Sequence, residues 1–315
     1  MTSRTAIKRD LARRNKWSGG LAHWIDGDCI YLSVAFTWRI DDAADIARFA
    51  AAEGRRVLAG GPALFLRKMR APLEPYATFD GAAPDAIARH NPLATIASRG
   101  CPVGCHFCIV PAMEGREFTL LPDFPVRPVL SDNNLSALPE DYQDHIIGKY
   151  DAADVPLIDA NSGFEPMTFT PAIYQRWRRV INSGGGPWRF AYDETKERSD
   201  VLRVMQMLQG EPQKRKRVYV LIGNEPFAEC MARIGEVIAG GCEPHVQPYM
   251  KLTATRREPF VLHDWTADLL RQVARWANRR IWKYAEFEGY RGAIRSPETD
   301  PRQGGLFDKF EGAAA

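Results

Sequence analysis

The chain has 315 residues, of which 45% are apolar, and a formal net charge of only +3. That length suits about two domains of ~150 residues each, and so small a net charge is no argument for a nucleic-acid partner by itself. The longest apolar runs, such as "IYLSVAF", are far shorter than the ~20 residues that a membrane span needs, and the first residues lack a signal-peptide pattern. We therefore expect no membrane association and a cytoplasmic location.

The amino-terminal part predicts a small α/β unit. "DCIYLSVAF", followed by "DDAADIARFAAAEGRRVLAGGP", has the pattern of strand, helix and strand over residues 28 to 62. The proline-rich segment from Pro62 to Pro92 predicts a linker or lid. We therefore expect residues 1 to 80 to hold a Rossmann-like βαβ segment and the linker.

A regular alternation of strands and helices follows residue 90. Runs rich in β-branched and apolar residues start about 30 residues apart, the spacing of a strand, a crossover helix and a return strand. The six predicted strands are residues 94–98, 126–131, 155–160, 188–192, 217–222 and 243–249. This alternation predicts an α/β fold with a parallel sheet, and six units are too few for a closed eight-stranded barrel. We therefore predict a partial, open (β/α)6 TIM-like barrel over residues 81 to 262.

The carboxyl-terminal part, residues 263 to 315, predicts one helix and a loose tail. "TADLLRQVARWANRRIWKYAEF" has amphipathic helical spacing, and "YRGAIRSPETDPRQGG" is rich in Gly, Pro and charge. Basic residues collect in "RTAIKRDLARRNK", "QKRKR" and "RQVARWANRRIWK". Solvent exposure is the simpler interpretation of these segments, and a phosphate-binding patch stays open as the second.

Three of the six cysteines, Cys101, Cys105 and Cys108, lie within eight positions of the stretch "RGCPVGCHFCIVP". The other cysteines are scattered, unlike a disulfide framework, so we expect free thiols. The cluster follows the first predicted barrel strand, at the face where parallel barrels carry their active sites. A structural zinc site takes four ligands, and no second cysteine pair completes one. Ligation by thiolates alone favours an iron-sulfur cluster.

The spacing Cys101-x3-Cys105-x2-Cys108, with Phe107 before the last cysteine, resembles the signature of the radical S-adenosylmethionine (SAM) superfamily. The resemblance implies that the three thiolates hold a four-iron four-sulfur (4Fe-4S) cluster, that SAM binds the fourth iron, and that Phe107 lies against the cofactor. An electron donor such as flavodoxin or ferredoxin would reduce the cluster, which would cleave SAM to a 5′-deoxyadenosyl radical that abstracts hydrogen from a substrate. The resemblance covers residues 90 to 260.

The same resemblance implies SAM-binding roles for residues that follow the predicted strands. After the second strand the family often has a Gly-Gly-Glu stretch for the SAM amino group, and here Asp132, Asn133 and Asn134 offer acceptor oxygens instead. Lys196 and Arg198 resemble the family's partner for the SAM carboxylate, with surface ion pairing as the alternative. The remaining predicted cofactor contacts are Asn161, Ser162, Glu165, Asp193, Gly223, Glu225 and Gln247.

Two other classes of function stay open. One is an iron-sulfur electron-transfer or regulatory protein that does not cleave SAM. The other is a nucleic-acid-binding protein with a structural cluster, in which Arg-rich helices hold RNA. The substrate of a radical SAM enzyme also stays open among a nucleic-acid base, a peptide and a small molecule. No Asp-x-His-x-x-Gly stretch occurs in residues 1 to 92, so cobalamin is not predicted.

Overall fold

The computed structural model describes residues 3–79, 85–161 and 163–290. Within those residues the chain forms a mixed α/β fold with four separate sheets, so the predicted α/β class is confirmed. Ser162 and the predicted loose tail after residue 290 lie outside the described residues. None of the described helices combines the length and the apolar character that crossing a membrane requires.

The first part of the chain forms an N-terminal unit, residues 20–79, preceded by one helix. The elements are α1 (Arg4–Arg14), β1 (Leu21–Asp26), β2 (Cys29–Val34), α2 (Ile40–Ala52), β3 (Arg56–Gly60) and β4 (Ala77–Thr78). The strands form one sheet in the order β1-β2-β3-β4, in which β2, β3 and β4 are parallel. The predicted strand-helix-strand unit is therefore present as β2, α2 and β3. The antiparallel strand β1 was not expected.

Apolar spacing explains how this unit packs. Ala43, Ala47 and Ala50 lie three and four positions apart on one face of α2, and each is at most 3% exposed. They share a hydrophobic core with Leu32 of β2. Leu73, in the proline-rich segment, is fully buried in the same core. That segment is therefore packed against the N-terminal unit and is not a free linker up to residue 79.

The rest of the described chain alternates strands and helices. The elements are α3 (Ala86–His90), β5 (Ala94–Thr95), β6 (Ser98–Arg99), α4 (Val110–Met113), β7 (Thr119–Leu120), β8 (Val129–Leu130), α5 (Glu140–Ala153), β9 (Asp159–Ala160), α6 (Pro171–Gly184), β10 (Trp188–Ala191), α7 (Arg198–Met207), β11 (Lys216–Ile222), α8 (Phe227–Ala239), β12 (Glu243–Pro248) and α9 (Ala267–Asn278). β5, β8 and β9 form one parallel sheet, and β10, β11 and β12 form another. The antiparallel pair β6 and β7 stands apart.

The six parallel strands do not make one continuous barrel among the described residues. They divide into two sheets of three between β9 and β10, and neither sheet is closed. β5, β8 and β9 contain only two paired residues each. Pro128 directly precedes β8, and a proline has no N–H to donate to a ladder. The backbone still links the two sheets, because Phe164 N donates to Arg189 O at 2.9 Å.

Two further hydrophobic cores support these sheets. One gathers α5 and α6 against the first sheet, and the other gathers α8 and α9 against the second. Asn278, the last residue of α9, exchanges two hydrogen bonds with the backbone of Val246 on β12, at 2.7 and 2.8 Å. Arg280 pairs with Glu243 at the start of β12, at 2.7 Å. The basic end of α9 therefore lies at the amino end of that strand.

The helix α1 covers the amino end of the first sheet. Leu11 packs against Leu93 and Val129, which stand at the start of β5 and β8. Asn15, the residue after α1, donates to Asp159 at 3.4 Å. No residue of α1 is buried, so its basic side chains are accessible to solvent, which was the simpler interpretation of this basic segment.

Candidate functional site

The cysteine loop, residues 100–109, leaves β6 and returns through α4 to β7. Glu114 fastens the base of this loop, because its carboxylate accepts from the Arg99 guanidinium at 2.8 Å and from Gly100 N at 3.1 Å. Gly100 has a φ of +89°, and a Cβ there would lie 2.2 Å from Glu117 O. Only glycine fits that backbone without displacing its neighbour. The loop is therefore anchored before its first cysteine.

Cys101, Cys105 and Cys108 are half-buried free thiols on this loop. The side-chain amide nitrogen of Asn134 lies 3.9 Å from Cys101 Sγ. Burial, and then the negative charge of Glu165, raises the pKa of Cys105 to about 12. Burial also raises the pKa of Cys108. Thiolates at these positions therefore need a positively charged partner to be stable.

The donor set of the loop fits a cluster better than a single ion. Among the described residues, no group of three His, Cys, Asp or Glu side chains converges as the ligands of one metal ion do. A cubane cluster binds each cysteine through a different iron, so convergence on one point is not what it requires. Three thiols on one anchored loop have the soft donor chemistry that iron-sulfur clusters take.

Three carboxylates, those of Glu165, Asp193 and Glu197, lie close to Cys105, and all raise the pKa of its thiol. Burial, and then the charge of Glu197, raises the pKa of Asp193 to about 7. Burial also raises the pKa of Glu165 and of Glu197. Glu197 accepts from Asp193 N at 2.7 Å. The structure thus brings together Glu165 and Asp193, two of the predicted site residues, with Glu197, which was not predicted. A group of carboxylates of this kind favours a bound cation.

The residues after β8 brace the cysteine loop. Asp132 is 1% exposed, and its carboxylate accepts from Ala97 N at 2.7 Å and from Ser98 Oγ at 2.6 Å. Asn133 donates to Gly100 O at 3.2 Å. Asp132 therefore faces the interior, and both of its oxygens hold the strand that leads to the cysteines.

Asp132 also makes stability depend on pH. Burial raises the pKa of Asp132 from its ordinary value of 3.8 to about 6. Because the folded value is the higher one, its stabilising contribution is complete below the unfolded pKa and is lost as the pH rises through the folded pKa. Asp132→Asn keeps an acceptor without the charge. As the pH rises from about 5 to about 8, we expect wild type to lose about 1 kcal/mol of its free energy of unfolding that Asp132→Asn does not lose, as measured with urea at each pH. A difference between the two proteins that stays constant over that range would contradict this titration.

The two predicted basic contacts are both engaged in ion pairs with carboxylates. Lys196 is exposed and pairs with Glu194 at 2.6 Å. Arg198, the first residue of α7, pairs with Glu236 of α8 at 2.6 Å. Both side chains therefore form surface ion pairs, which were the alternative to binding the SAM carboxylate. Phe107 packs its ring edge-on against His106, with centroids 5.0 Å apart.

The predicted residues after β11 have protein partners. Gly223 has a φ of +88°, and a Cβ there would lie 3.0 Å from Leu270 Cδ2. Its close neighbour is thus the helix α9. Glu225 accepts from Thr195 N at 3.1 Å and pairs with the fully buried Arg233 at 3.1 Å. Both residues therefore brace the protein where the resemblance implied a cofactor contact.

A large cavity of about 1350 Å³ lies between the N-terminal unit and the carboxyl ends of the parallel strands, and we call it the shared cavity. Of the predicted site residues, Asn161, Asp193 and Gln247 line it. Arg99 and Glu114, which hold the base of the cysteine loop, line it too. The strand exits and the base of the cysteine loop therefore border the same space.

Comparisons with known proteins gave no match, either to a protein-family model or to a curated protein. The resemblance to the radical SAM superfamily therefore depends on the spacing of Cys101, Cys105 and Cys108 and on the place of their loop in the fold. The geometry around that loop is what a functional proposal has to explain.

A charged network inside the sheets was not predicted. Arg189 of β10 forms a two-point ion pair with Asp159 of β9, at 2.6 and 2.7 Å, and also donates to the hydroxyl of Tyr219 on β11. Arg189 is 8% exposed and Asp159 is 5% exposed. His245 of β12 packs against the Tyr219 ring, with centroids 4.9 Å apart. The signal available in the sequence was a charged residue within two predicted strands, Asp159 in "VPLIDA" and Arg189 in "WRFAY".

Proposed function

We propose that this protein is a radical SAM enzyme. The observation that carries the proposal is the place of the cysteine loop. It follows the first parallel strand, is anchored by Glu114, and stands beside a cavity that receives the exits of the later strands. Parallel α/β folds carry their reaction centres at that end of the strands. On this proposal the two three-stranded sheets are the halves of a partial (β/α)6 barrel.

Cys101, Cys105 and Cys108 would hold the 4Fe-4S cluster. When bound, and reduced by a donor such as flavodoxin or ferredoxin, the cluster supplies the electron that cleaves SAM to methionine and a 5′-deoxyadenosyl radical. Asn134 stands with its amide nitrogen 3.9 Å from Cys101 Sγ. An amide so placed tunes the reduction potential by hydrogen bonding to a ligand sulfur.

The acidic group beside Cys105 suits the positive charges of SAM. SAM carries a sulfonium and an ammonium. A cation attracts the charged form of these carboxylates and so offsets the burial and repulsion that raise the pKa values of Glu165, Asp193 and Glu197. Asn161 and Gln247 offer hydrogen-bonding groups for a ribose or an adenine. These are the side chains that we would test first for SAM binding, before the ion-paired Lys196, Arg198 and Glu225.

The size of the shared cavity supports a second ligand next to SAM. Its volume of about 1350 Å³ exceeds the roughly 300–1,000 Å³ of a site for one drug-sized molecule. An enzyme that brings hydrogen from a substrate to a radical needs such a space.

Binding of nucleic acid around a structural cluster is the weaker proposal. The basic end of α9 lies at the amino end of β12, where Arg280 pairs with Glu243 at 2.7 Å. The basic helix α1 covers the amino end of the first sheet, where Leu11 packs. Both therefore stand at the ends of the strands opposite to the cysteine loop, so they do not form one surface with it.

Detection of 5′-deoxyadenosine by mass spectrometry tests the proposed function. The protein is reconstituted anaerobically with iron and sulfide, then given SAM, a strong reductant and a cell extract as a source of substrate. We expect wild type to form the product and the triple variant Cys101→Ala, Cys105→Ala, Cys108→Ala to form none. A wild-type sample with a full cluster that forms no product supports the electron-transfer alternative.

A further inference from the structure

The N-terminal wall of the shared cavity presents aromatic rings to its interior. Trp17, Phe36 and Phe65 line the cavity and are 40%, 44% and 37% exposed. Tyr31 and Phe79 line the same wall. Large aromatic side chains that stay this exposed within a concave site have ring faces available to a ligand, and such faces favour another flat ring.

One of these rings is held firmly in place. Phe36 is stacked on Trp38, with centroids 4.5 Å apart and an interplanar angle of 16°. Its other neighbour is Gly20, where a Cβ would lie 2.1 Å from the Phe36 ring. The ring therefore rests against bare backbone, and a ligand that stacks on it meets a surface already in position.

Three polar side chains complete the wall. His90 Nδ1 lies 2.6 Å from Ser18 Oγ, and His90 Nε2 lies 2.9 Å from Ser33 Oγ. All three residues line the cavity. Burial lowers the pKa of His90, so near neutral pH one ring nitrogen donates and the other accepts. The serine that accepts from the ring N–H therefore keeps its hydroxyl proton to donate to a ligand. The serine that donates to the other ring nitrogen keeps its oxygen lone pairs to accept from a ligand.

We propose that this wall is the substrate site and that it binds a nucleobase. A nucleobase has a flat face for stacking on Trp17 and Phe36, and an edge that carries donors and acceptors, for which Ser18 or Ser33 offers a hydroxyl partner. Arg70 lines the same cavity and supplies a cation for a phosphate. The base belongs either to a free nucleoside or nucleotide or to a single strand. The role of this ligand as the substrate rests on the proposed radical SAM function. The proposal that it binds at this wall does not depend on that function.

Saturation-transfer NMR on the reconstituted protein with SAM tests the site. The probes are each common ribonucleoside and, in separate samples, the matching RNA homotetramer. We expect a base to bind wild type, and Trp17→Ala and Phe36→Ala each to raise its dissociation constant about tenfold, the effect of losing one stacking face. Phe49→Ala is the matched control, because Phe49 is 66% exposed on α2 and lies away from the cavity lining. Thermal unfolding of each variant confirms that it is folded.

Each outcome decides the proposal. Binding of a nucleoside identifies a free base as the ligand, and binding of a tetramer alone places the base in a strand; both support the site. The absence of binding by every probe overturns it, as does equal binding by wild type and both cavity variants. Because binding is measured without turnover, a protein that binds a base and forms no 5′-deoxyadenosine overturns the proposed function alone.

Discussion

Cys105→Ala is expected to lose its cluster and to form 5′-deoxyadenosine only at background level. On the proposed function three thiolates hold the four-iron cubane, and with only two left the cluster would be released. The loss should exceed the roughly 10- to 100-fold that removal of an outer hydrogen bond to a metal ligand costs. Iron content, the visible absorption of the cluster and mass-spectrometric product detection measure it. Cys101→Ala and Cys108→Ala should behave in the same way.

Cys29→Ala provides the matched control. Cys29 is also a half-buried free thiol, but it stands on β2 of the N-terminal unit. We expect this variant to retain iron and product formation. A Cys105→Ala protein with the cluster and product of wild type would show that the cysteine loop does not hold the cofactor.

Breaking the buried ion pair is expected to have the largest effect on stability. Arg189→Met leaves the Asp159 carboxylate, which is 5% exposed, without its partner. An uncompensated buried charge of this kind costs about 3–5 kcal/mol. Urea unfolding should show a lower free energy of unfolding for Arg189→Met and for Asp159→Leu, each compared with wild type.

The double variant Asp159→Leu, Arg189→Met distinguishes the charge effect from a packing defect. It removes both charges, so we expect it to be more stable than either single variant, since apolar replacement of a buried pair is often neutral. A double variant whose loss equals the sum of the two single losses would mean that the residues act independently. Tyr219, whose hydroxyl accepts from Arg189, contributes to any remaining loss.

The strand and helix alternation was predictable because buried parallel strands have continuous apolar runs. The run "RVYVLI" becomes most of β11, the longest strand of its sheet. The division between β9 and β10 was not predictable, because it depends on which backbone groups pair and not on composition. The antiparallel strand β1 was missed although "LAHWID" alternates buried and exposed residues over part of its length.

The part of the site whose chemistry follows from the spacing of residues in the sequence could be predicted. The part that depends on the direction in which side chains point could not. Cys101, Cys105 and Cys108 carry their donor chemistry in the spacing itself. Arg198 begins α7, and only the neighbouring helix decides that it meets Glu236. The same holds for the pairing of His90 with two serines, which comes from segments far apart in the chain.

The two walls of the shared cavity belong to different hydrophobic cores. The aromatic wall rests on the core of the N-terminal unit, whereas the strand exits rest on the two cores of the parallel sheets. Thr37 donates to Ala254 O, which ties the unit to the loop after β12. On the proposed function, ligand preference and cofactor chemistry are assigned to parts of the chain with separate cores. Substitutions in the aromatic wall are therefore expected to disturb the core of the N-terminal unit before the cores that support the parallel sheets.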